Sequence, residues 1–589
     1  MTKTDTIPSR LFQRAEKTPY SPAYYTKVNN RWRPTNWRSY AGEVRQAGKA
    51  LMALGVGHKG AVSILGFNRP EWVIMDVAAM CIGAYAAGVY TTCSPEEVQY
   101  IVNHAESQVI LVEDKSQADK IALERANLPH LKHVVAMQGA GDLGDSVMSW
   151  EEFMAKGDAG SDDDFFAAID ALEPQGSATL IYTSGTTGPP KGVMLTHENL
   201  AWTSTSLSKT MNSENGDSVL SFLPLSHIAE QMVTIHGPIS FGGAVYFAES
   251  IAKVPDNLRE VQPTIFFAVP RIWEKFYAKL QVKLGEATGA KAHLLTWVRS
   301  VCTQVSSHKN AGKELPFQLS LQYKLADKLV LSKLKPAIGL GKAHFCVSGA
   351  APISKEILDF FASIDIIVHE VYGQSEDTGP TTLNVNGRTK LGSVGPAIPG
   401  VEVKIAEDGE IIVRGKNVCA GYFKDPEASA ETFVDGWMLS GDLGEIDSLG
   451  FLHITGRKKD IIITAGGKNV APKNIEAGLK DNRLINEAVV IGDRRKYLTA
   501  LITLDSEAVD EFLTNAPGDT PLADVPAIRA EIQSAVELVN SKLAQVETIK
   551  KWTILARNLT IEDGELTPTL KVKRNKVNEN FSESIEAMY

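Results

Sequence analysis

Short runs of β-branched and aromatic residues alternate with longer stretches of helical spacing along most of this chain, and that alternation narrows the architecture more than any other feature. AVSILGF (61–67), SQVILVED (107–114), HVVAMQG (133–139), GAVYFAES (243–250), PTIFFAVP (263–270) and AHFCVSGA (343–350) are each about one strand long and bounded by turn residues. Between such runs lie segments like NWRSYAGEVRQAGKALMALG (36–55), whose apolar residues recur at helical spacing. Strand–helix–strand repetition buries both element types when helices cover the faces of a largely parallel sheet, so the chain is α/β. The longest nearly apolar run, VAAMCIGAYAAGVY (77–90), is too short to span a bilayer and reads as a core helix passing into a strand.

At 589 residues the chain exceeds what one core holds. Near residue 400 the texture changes. VEVKIAEDGEIIVRGKNV (401–418) alternates with period two around Glu-Asp-Gly and reads as a hairpin. GRKKDIIITAGGKNVAPKNIE (456–476) then combines charge, glycine and a fresh strand. The expected organisation is a large N-terminal domain of layered α/β sheets over 1–456, with a small β-rich subdomain at about 395–456. A domain boundary at 457–460 and a small α+β C-terminal domain over 461–589 complete it.

Composition is that of an ordinary globular protein, 44% hydrophobic and 22% charged. A net charge of −10 and a pI near 5.7 argue against nucleic acid as a partner. The five cysteines are widely spaced, odd in number and form no C-x-x-C pair, which suits single buried thiols in a reducing compartment. No apolar signal region opens the sequence, so the expected location is the cytoplasm. One segment departs from the overall charge. Residues 271–342 hold 13 Lys and Arg against 4 Asp and Glu, a net of +9, on amphipathic stretches such as LSLQYKLADKLVLSKLK (319–335). A solvated helical face and a surface for peripheral contact with an acidic membrane are both open readings.

The segment with the most specific chemistry is IYTSGTTGPPKG (181–192), where a strand runs into Thr, Ser and Gly residues and ends at Lys191. Glycine permits unusual dihedrals, oriented backbone amides form an anion nest, hydroxyls add donors and a lysine adds charge. Thr183, Ser184, Gly185, Thr186, Thr187, Gly188 and Lys191, with Pro189 and Pro190 between, therefore suit a polyphosphate bound beyond the carboxyl end of a strand. This is not a Walker A loop. Five residues after Gly185 stands Pro190, and Lys191 is followed by Gly192. A flexible polar linker would need neither the strand nor the tight GPPKG.

That loop resembles the signature of the AMP-forming acyl-CoA synthetases, members of the adenylate-forming superfamily. Other segments resemble the family's motifs in order. They are LPLSHIAE with His227, VPRIWEKF with Arg271 and Trp273, VSGAAPI (347–353) and VYGQSEDTG (371–379), then WMLSGDLG with Asp442, GRKKD with Arg457 and Lys459, and LTPTLKVKR with Lys571. Within the superfamily, VPRIWEKF, the basic helical insert and the terminal LTPTLKVKR are similar to the long-chain fatty acyl class, the bubblegum type in particular.

The resemblance implies a ligase that uses ATP and Mg²⁺ to convert a fatty acid to acyl-AMP, releasing pyrophosphate, and then transfers the acyl group to coenzyme A. It implies that Thr183 to Lys191 hold the β- and γ-phosphates. Tyr372 would stack on adenine opposite Gly349, Ala350 and Ala351, with Gly373, Gln374, Ser375 and Asp377 completing the nucleotide loop. Glu376, with Thr183, would bind Mg²⁺. Asp442 and Arg457 would contact the ribose. Lys571 would bridge the carboxylate and the α-phosphate, and His227 would position the acid. Lys459 would sit at the hinge, and Gly466 and Gly467 would line the coenzyme A tunnel after domain rotation. Gln231 stands where some long-chain relatives carry a tryptophan that gates the fatty-acid tunnel. Two alternatives stay open: a fatty acyl-AMP ligase serving a carrier protein, and a non-catalytic nucleotide- or lipid-binding relative. The uninterrupted GFLHITGRKKDIIITAGGKNVAP (450–472) counts against the first, because that group carries an insertion there.

Overall fold

The computed structural model describes residues 5–144, 146–183, 189–466, 468–513 and 520–589. Of the site residues named above, Ser184, Gly185, Thr186, Thr187, Gly188 and Gly467 lie outside the described residues.

All six short β-branched and aromatic runs form strands: Ala61–Leu65, Val109–Val112, His133–Ala136, Ala244–Phe247, Ile265–Ala268 and Phe345–Ser348. A seven-stranded sheet is built in the order Val147–Ser149, His133–Ala136, Val109–Val112, Ala61–Leu65, Tyr85–Val89, Ser177–Thr183, Lys191–Thr196. Every pair is parallel except the last, which closes the edge as a hairpin. Ala61–Leu65 is buried at all positions. Its Val62 and Ile64 join one core and its Ala61 and Leu65 another, as period-two side chains do in a sheet covered on both faces.

The long apolar run resolves into the helix Pro70–Cys81 and the strand Tyr85–Val89. From Trp72 to Cys81 the helix is buried throughout, because it lies between this sheet and the helices Ile7–Lys17 and Trp37–Ala53. That position explains a helix without a polar stripe.

A second sheet has the order Ser218–Ser221, Ala244–Phe247, Pro22–Val28, Arg31–Asn36, and a third Ile265–Ala268, Phe345–Ser348, Val368–Tyr372, Thr382–Leu383. The first three strands of the third sheet are parallel, so their carboxyl ends open on one side. The period-two segment forms the antiparallel pair Val401–Ile405 and Glu410–Gly415, extended by Trp437–Ile446, Phe433–Val434 and Leu452–Arg457. Beyond Asp460 a three-stranded sheet, Ile485–Ile491, Leu498–Leu504 and Ile549–Ile554, packs on the helices Pro472–Lys480 and Pro526–Asn540. Ile475, Leu479, Ile528, Ile532 and Val536 form its core, so this C-terminal unit buries apolar surface of its own. All five cysteines are free and buried. Among the described residues no helix is long and apolar enough to cross a membrane.

Candidate active site

Carboxyl ends of parallel strands from the first and third sheets meet through one turn. Cys419 N donates to Glu376 O at 2.8 Å, Met194 N to Gly421 O at 2.9 Å and Phe423 N to Gly192 O at 2.7 Å. The turn at 419–423 thus ties the loop after Tyr372, in the third sheet, to the hairpin that ends in Lys191–Thr196, in the first. Thr183 and Lys191 face each other across that hairpin, and Thr183 Oγ1 reaches Lys191 O at 3.5 Å. Lys191 is exposed, with its ammonium 4.8 Å from the centroid of the Tyr422 ring, a cation–π contact. The Tyr422 hydroxyl in turn donates to Glu376 Oε1 at 2.9 Å. One tyrosine therefore aligns the loop lysine with the carboxylate. Neither its spacing nor its AGYF context marked it in the sequence. Pro189 is exposed beside it and Pro190 half-buried.

On the opposite wall, Gly349 follows Phe345–Ser348 because a Cβ there would sit 2.5 Å from Val371 Cγ1. Ala350 takes a left-handed φ of 68°, and both Ala350 and Ala351 are exposed. The neighbouring strand ends at Tyr372, and the chain turns sharply. A Cβ on Gly373 would fall 1.5 Å from Gly379 O, so only glycine fits. Asp377 braces the turn from inside. It is fully buried and accepts from Gln374 N at 2.6 Å and from Thr381 Oγ1 at 2.5 Å. Burial pushes its carboxyl up to about 8. Ser375 is buried too, whereas Glu376 between them is half-buried. Of these three neighbours, Glu376 alone keeps access to solvent, while Asp377 shapes the loop that carries it.

Asp442 lies on Trp437–Ile446, directly across from Arg457 on the next strand. Its Oδ2 accepts from the Tyr372 hydroxyl at 3.0 Å and from Gln374 Nε2 at 2.7 Å, and its Oδ1 is 3.7 Å from Arg457 Nε. Gln374 Nε2 also donates to Ser440 O at 2.8 Å. Tyr372, Gln374, Asp442 and Arg457 are thereby held as one polar cluster.

Lys571 is carried into this cluster by the C-terminal unit. Leu566 and Val572 pair as a tight hairpin, with Leu570 at a left-handed φ of 61°. Thr567 N donates to Lys571 O at 2.8 Å, and Lys571 N donates to Thr567 Oγ1 at 3.0 Å. The hairpin docks on the large domain where Thr92 Oγ1 donates to Pro568 O at 2.8 Å. Lys571 stays accessible to solvent, yet protein atoms crowd it. That crowding, with the cations Arg457 and Lys473, holds its ammonium below the ordinary lysine range against the opposing pull of Asp442 and Glu376. A lysine crowded by protein atoms and by two cations suits an anionic ligand.

His227 caps the short helix Ile228–Gln231, its Nδ1 accepting from Ala229 N at 3.2 Å. The ring's exchangeable proton is therefore on Nε2. Burial first, then Lys571, lowers its pKa to about 4, so it is neutral at physiological pH. Gln231 is fully buried, with Nε2 donating to Leu225 O at 3.0 Å, which pins it to its own turn. Beside it Glu230 accepts from Asn68, Ser221 and Thr234 side chains and from Phe222 N.

The turn Lys458–Asp460 joins the two parts. Lys458 pairs with Glu410 of Glu410–Gly415 at 2.8 Å, and Asp460 with Lys473 of Pro472–Lys480 at 3.4 Å. Lys459 between them is exposed and makes no ion pair among the described residues. Gly466 lies in the turn closed by Thr464 N donating to Lys468 O at 3.0 Å. The nearest atom to a Cβ there is Thr464 Oγ1 at 3.9 Å, so this arrangement makes no demand for glycine at that position. A last contact explains VPRIWEKF. Trp273 is fully buried with Nε1 donating to Val347 O at 3.2 Å, and Arg271, two residues earlier, donates to Asn486 Oδ1 of the C-terminal unit at 2.7 Å.

A layered α/β body, a glycine-rich strand-end loop, a strand-end tyrosine beside a buried aspartate, and a lysine delivered by a separate C-terminal unit define an enzyme that handles a nucleotide phosphate. The comparisons agree. The AMP-binding enzyme family matches residues 11–423, and the AMP-binding enzyme C-terminal domain matches residues 459–589. Long-chain-fatty-acid–CoA ligase ACSBG2 of Xenopus laevis is 36% identical over 96% of this chain and 81% of its own length. The Homo sapiens ACSBG2 is 35% identical over 99% and 92%, and the ligase FadD15 of Mycobacterium bovis 34% identical over 99% and 97%. Among solved structures, the adenylation domain of a Mycobacterium chelonae carboxylate reductase superposes with a TM-score of 0.77 at 20% identity, covering 99% of this chain and 91% of that one. The anthranilate CoA ligase AuaEII, solved with anthranoyl-AMP, gives 0.71 at 20% identity, covering 98% of each chain. The chain belongs to the AMP-binding enzymes, in the branch of the long-chain-fatty-acid–CoA ligases.

Proposed function

We propose that this protein activates a long-chain fatty acid with ATP to give acyl-AMP and pyrophosphate, and then transfers the acyl group to coenzyme A, releasing AMP. The single observation that carries the reading is Lys571, brought by the C-terminal unit into the electrostatic reach of Glu376, Asp442, Arg457 and His227. The first half joins two anions, so positive charge must be in place before they meet.

In the adenylation half, a carboxylate oxygen of the acid attacks the α-phosphorus, the bond to the bridging oxygen breaks, and pyrophosphate leaves. Lys571 neutralises the approaching carboxylate and the α-phosphate. His227, neutral with a proton on Nε2, offers the acid a hydrogen bond. The loop from Thr183 to Lys191 holds the leaving pyrophosphate. Tyr372 and Ala350 flank the base, with Gly349 and Gly373 permitting the close approach of their strand ends, and Asp442 and Arg457 take the ribose hydroxyls. Glu376, which makes no ion pair among the described residues, and the Thr183 hydroxyl are hard oxygen donors that suit Mg²⁺. When bound there the ion screens phosphate charge. No cluster of three metal-holding side chains occurs among the described residues, so nucleotide oxygens would supply most of its shell.

The second half requires the thiol of coenzyme A to reach the acyl carbon, which Lys571 obstructs from its present position. The exposed Lys459, between anchored Lys458 and Asp460, suits a hinge at 457–460 about which a mobile domain of 461–589 turns against 1–456. The turn holding Gly466 would then face the pantetheine arm. The free cysteines suit the cytoplasm, and a water-insoluble acid suits work at a membrane surface. Acid-dependent pyrophosphate release, followed by thioester formation on adding coenzyme A, tests the reading. A series of acids of increasing chain length reads the preference. Pyrophosphate release without thioester would favour the acyl-AMP ligase, and neither would favour a non-catalytic relative.

A further inference from the structure

We propose that the helix starting at Phe317 lays its outer face into the headgroup region of an anionic membrane, an inference that rests on the fatty-acid reading above and names the surface that meets the lipid. The continuous helical run comprises Phe317–Ala326, the π turn Asp327–Leu331 and Ser332–Ala337. Its inner face is already satisfied. Leu319, Ala326 and Leu331 are buried, and Tyr323 and Val330 pack with them against Val298, Val301, Cys302 and Val305 of Gly289–Asn310.

The outer face is where a soluble protein places polar residues. Here Phe317, Leu321, Leu325 and Leu329 are 78%, 51%, 49% and 44% exposed. They recur every four residues. Such a row drifts by about 40° per step around an α-helix. The wider π turn takes back part of that drift at Leu329, keeping the row on one side. The stripe is about 18 Å long at the α-helical rise. Lys324 and Lys328 fall on the same side, and Lys313 and Lys333 flank the ends. All four are exposed and make no ion pair among the described residues, whereas Lys309 and Lys335 are taken up by Asp365.

Charge chooses the occupant. Residues 271–342 carry +9 within a chain of −10, so the remainder carries −19. An anionic surface attracts this face and repels the rest of the molecule, which orients the enzyme as well as binding it. A second copy would bring lysines against lysines. The stripe is a single convex row rather than a groove, which suits a deformable lipid surface, with lysine stems snorkelling to the headgroups.

Co-sedimentation of the full chain with vesicles tests this. Binding to phosphatidylcholine–phosphatidylglycerol vesicles at low salt, weak binding to pure phosphatidylcholine, and release by added salt are expected. Leu321→Gln with Leu325→Gln should weaken binding at least about tenfold, from the lost apolar burial. Lys324→Glu with Lys328→Glu should do the same. In all variants, ligation of a water-soluble medium-chain acid without vesicles should be unchanged, so failure of docking is distinguishable from failure of the catalytic reading. Equal vesicle binding by wild type and both variants, or no binding to anionic vesicles, would overturn the proposal. So would a concentration-dependent dimer abolished by the same leucine substitutions, which would give the stripe to a second copy, or salt-sensitive retention of the stripe on an acidic protein with none on vesicles.

Discussion

Lys571 shows how much of this site is carried by the state of one ammonium. Its pKa is held below the lysine range by crowding and by Arg457 and Lys473. In the role proposed for it Lys571 acts in the protonated form, so the adenylation rate should fall on the alkaline side at a lower pH than an unperturbed lysine would give. Lys571→Arg should move that fall upward, because the guanidinium does not titrate there. No inflection from an imidazole near neutrality should precede it, since His227 is already neutral above about 4. Initial rates of acid-dependent pyrophosphate release across pH check all three. Lys571→Ala should cut that release by roughly 100- to 1000-fold, the scale of losing one charge-stabilising donor. It should spare thioester formation from supplied acyl-AMP, and equal loss in both halves would contradict the role given to this residue.

The turn after Tyr372 makes the matching argument for an element. Its course depends on Gly373, where a Cβ would overlap Gly379 O, and on Asp377 holding Gln374 N and Thr381 from inside. Gly373→Ala should therefore cost about 2 kcal/mol or more of stability and abolish the stabilisation that ATP confers, because no side-chain rotation relieves a clash with backbone. Gly466→Ala, with open space around it, should leave adenylation and thermal stability unchanged. Thermal unfolding with and without ATP separates the two, and similar losses in both would count against this account of the turn. The same turn marks the limit of what the sequence discloses. The strands were legible because period and flanking turns are local signals, and VYGQSEDTG was legible as a motif. That Glu376 reaches the cleft while Asp377 faces inward was not, since both are carboxylates one residue apart. Tyr422, Thr92 and Asn486 were silent for a different reason. Their partners lie 46, 476 and 215 residues away, and no local pattern encodes such a pairing.

At the scale of the whole molecule, those long-range contacts hold one relative placement of two units. Thr92 binds the hairpin of Lys571 through Pro568, and Arg271 reaches Asn486. Both are polar, which suits the rotation proposed above for 461–589. The Arg271–Asn486 bond is surface-exposed, so its net worth is about 0.5–1.5 kcal/mol. If 461–589 rotates as proposed, removing it should shift the balance of the two placements by roughly 2- to 10-fold away from the one that seats Lys571. Asn486→Ala should accordingly slow pyrophosphate release by about that factor, with thioester formation from supplied acyl-AMP unchanged or faster. Arg271→Ala should match it. The double variant should be no worse than either single, because all three lose the same bond. Parallel loss in both half-reactions would make the contact a matter of general stability, and additive losses would mean that the two residues act on different things.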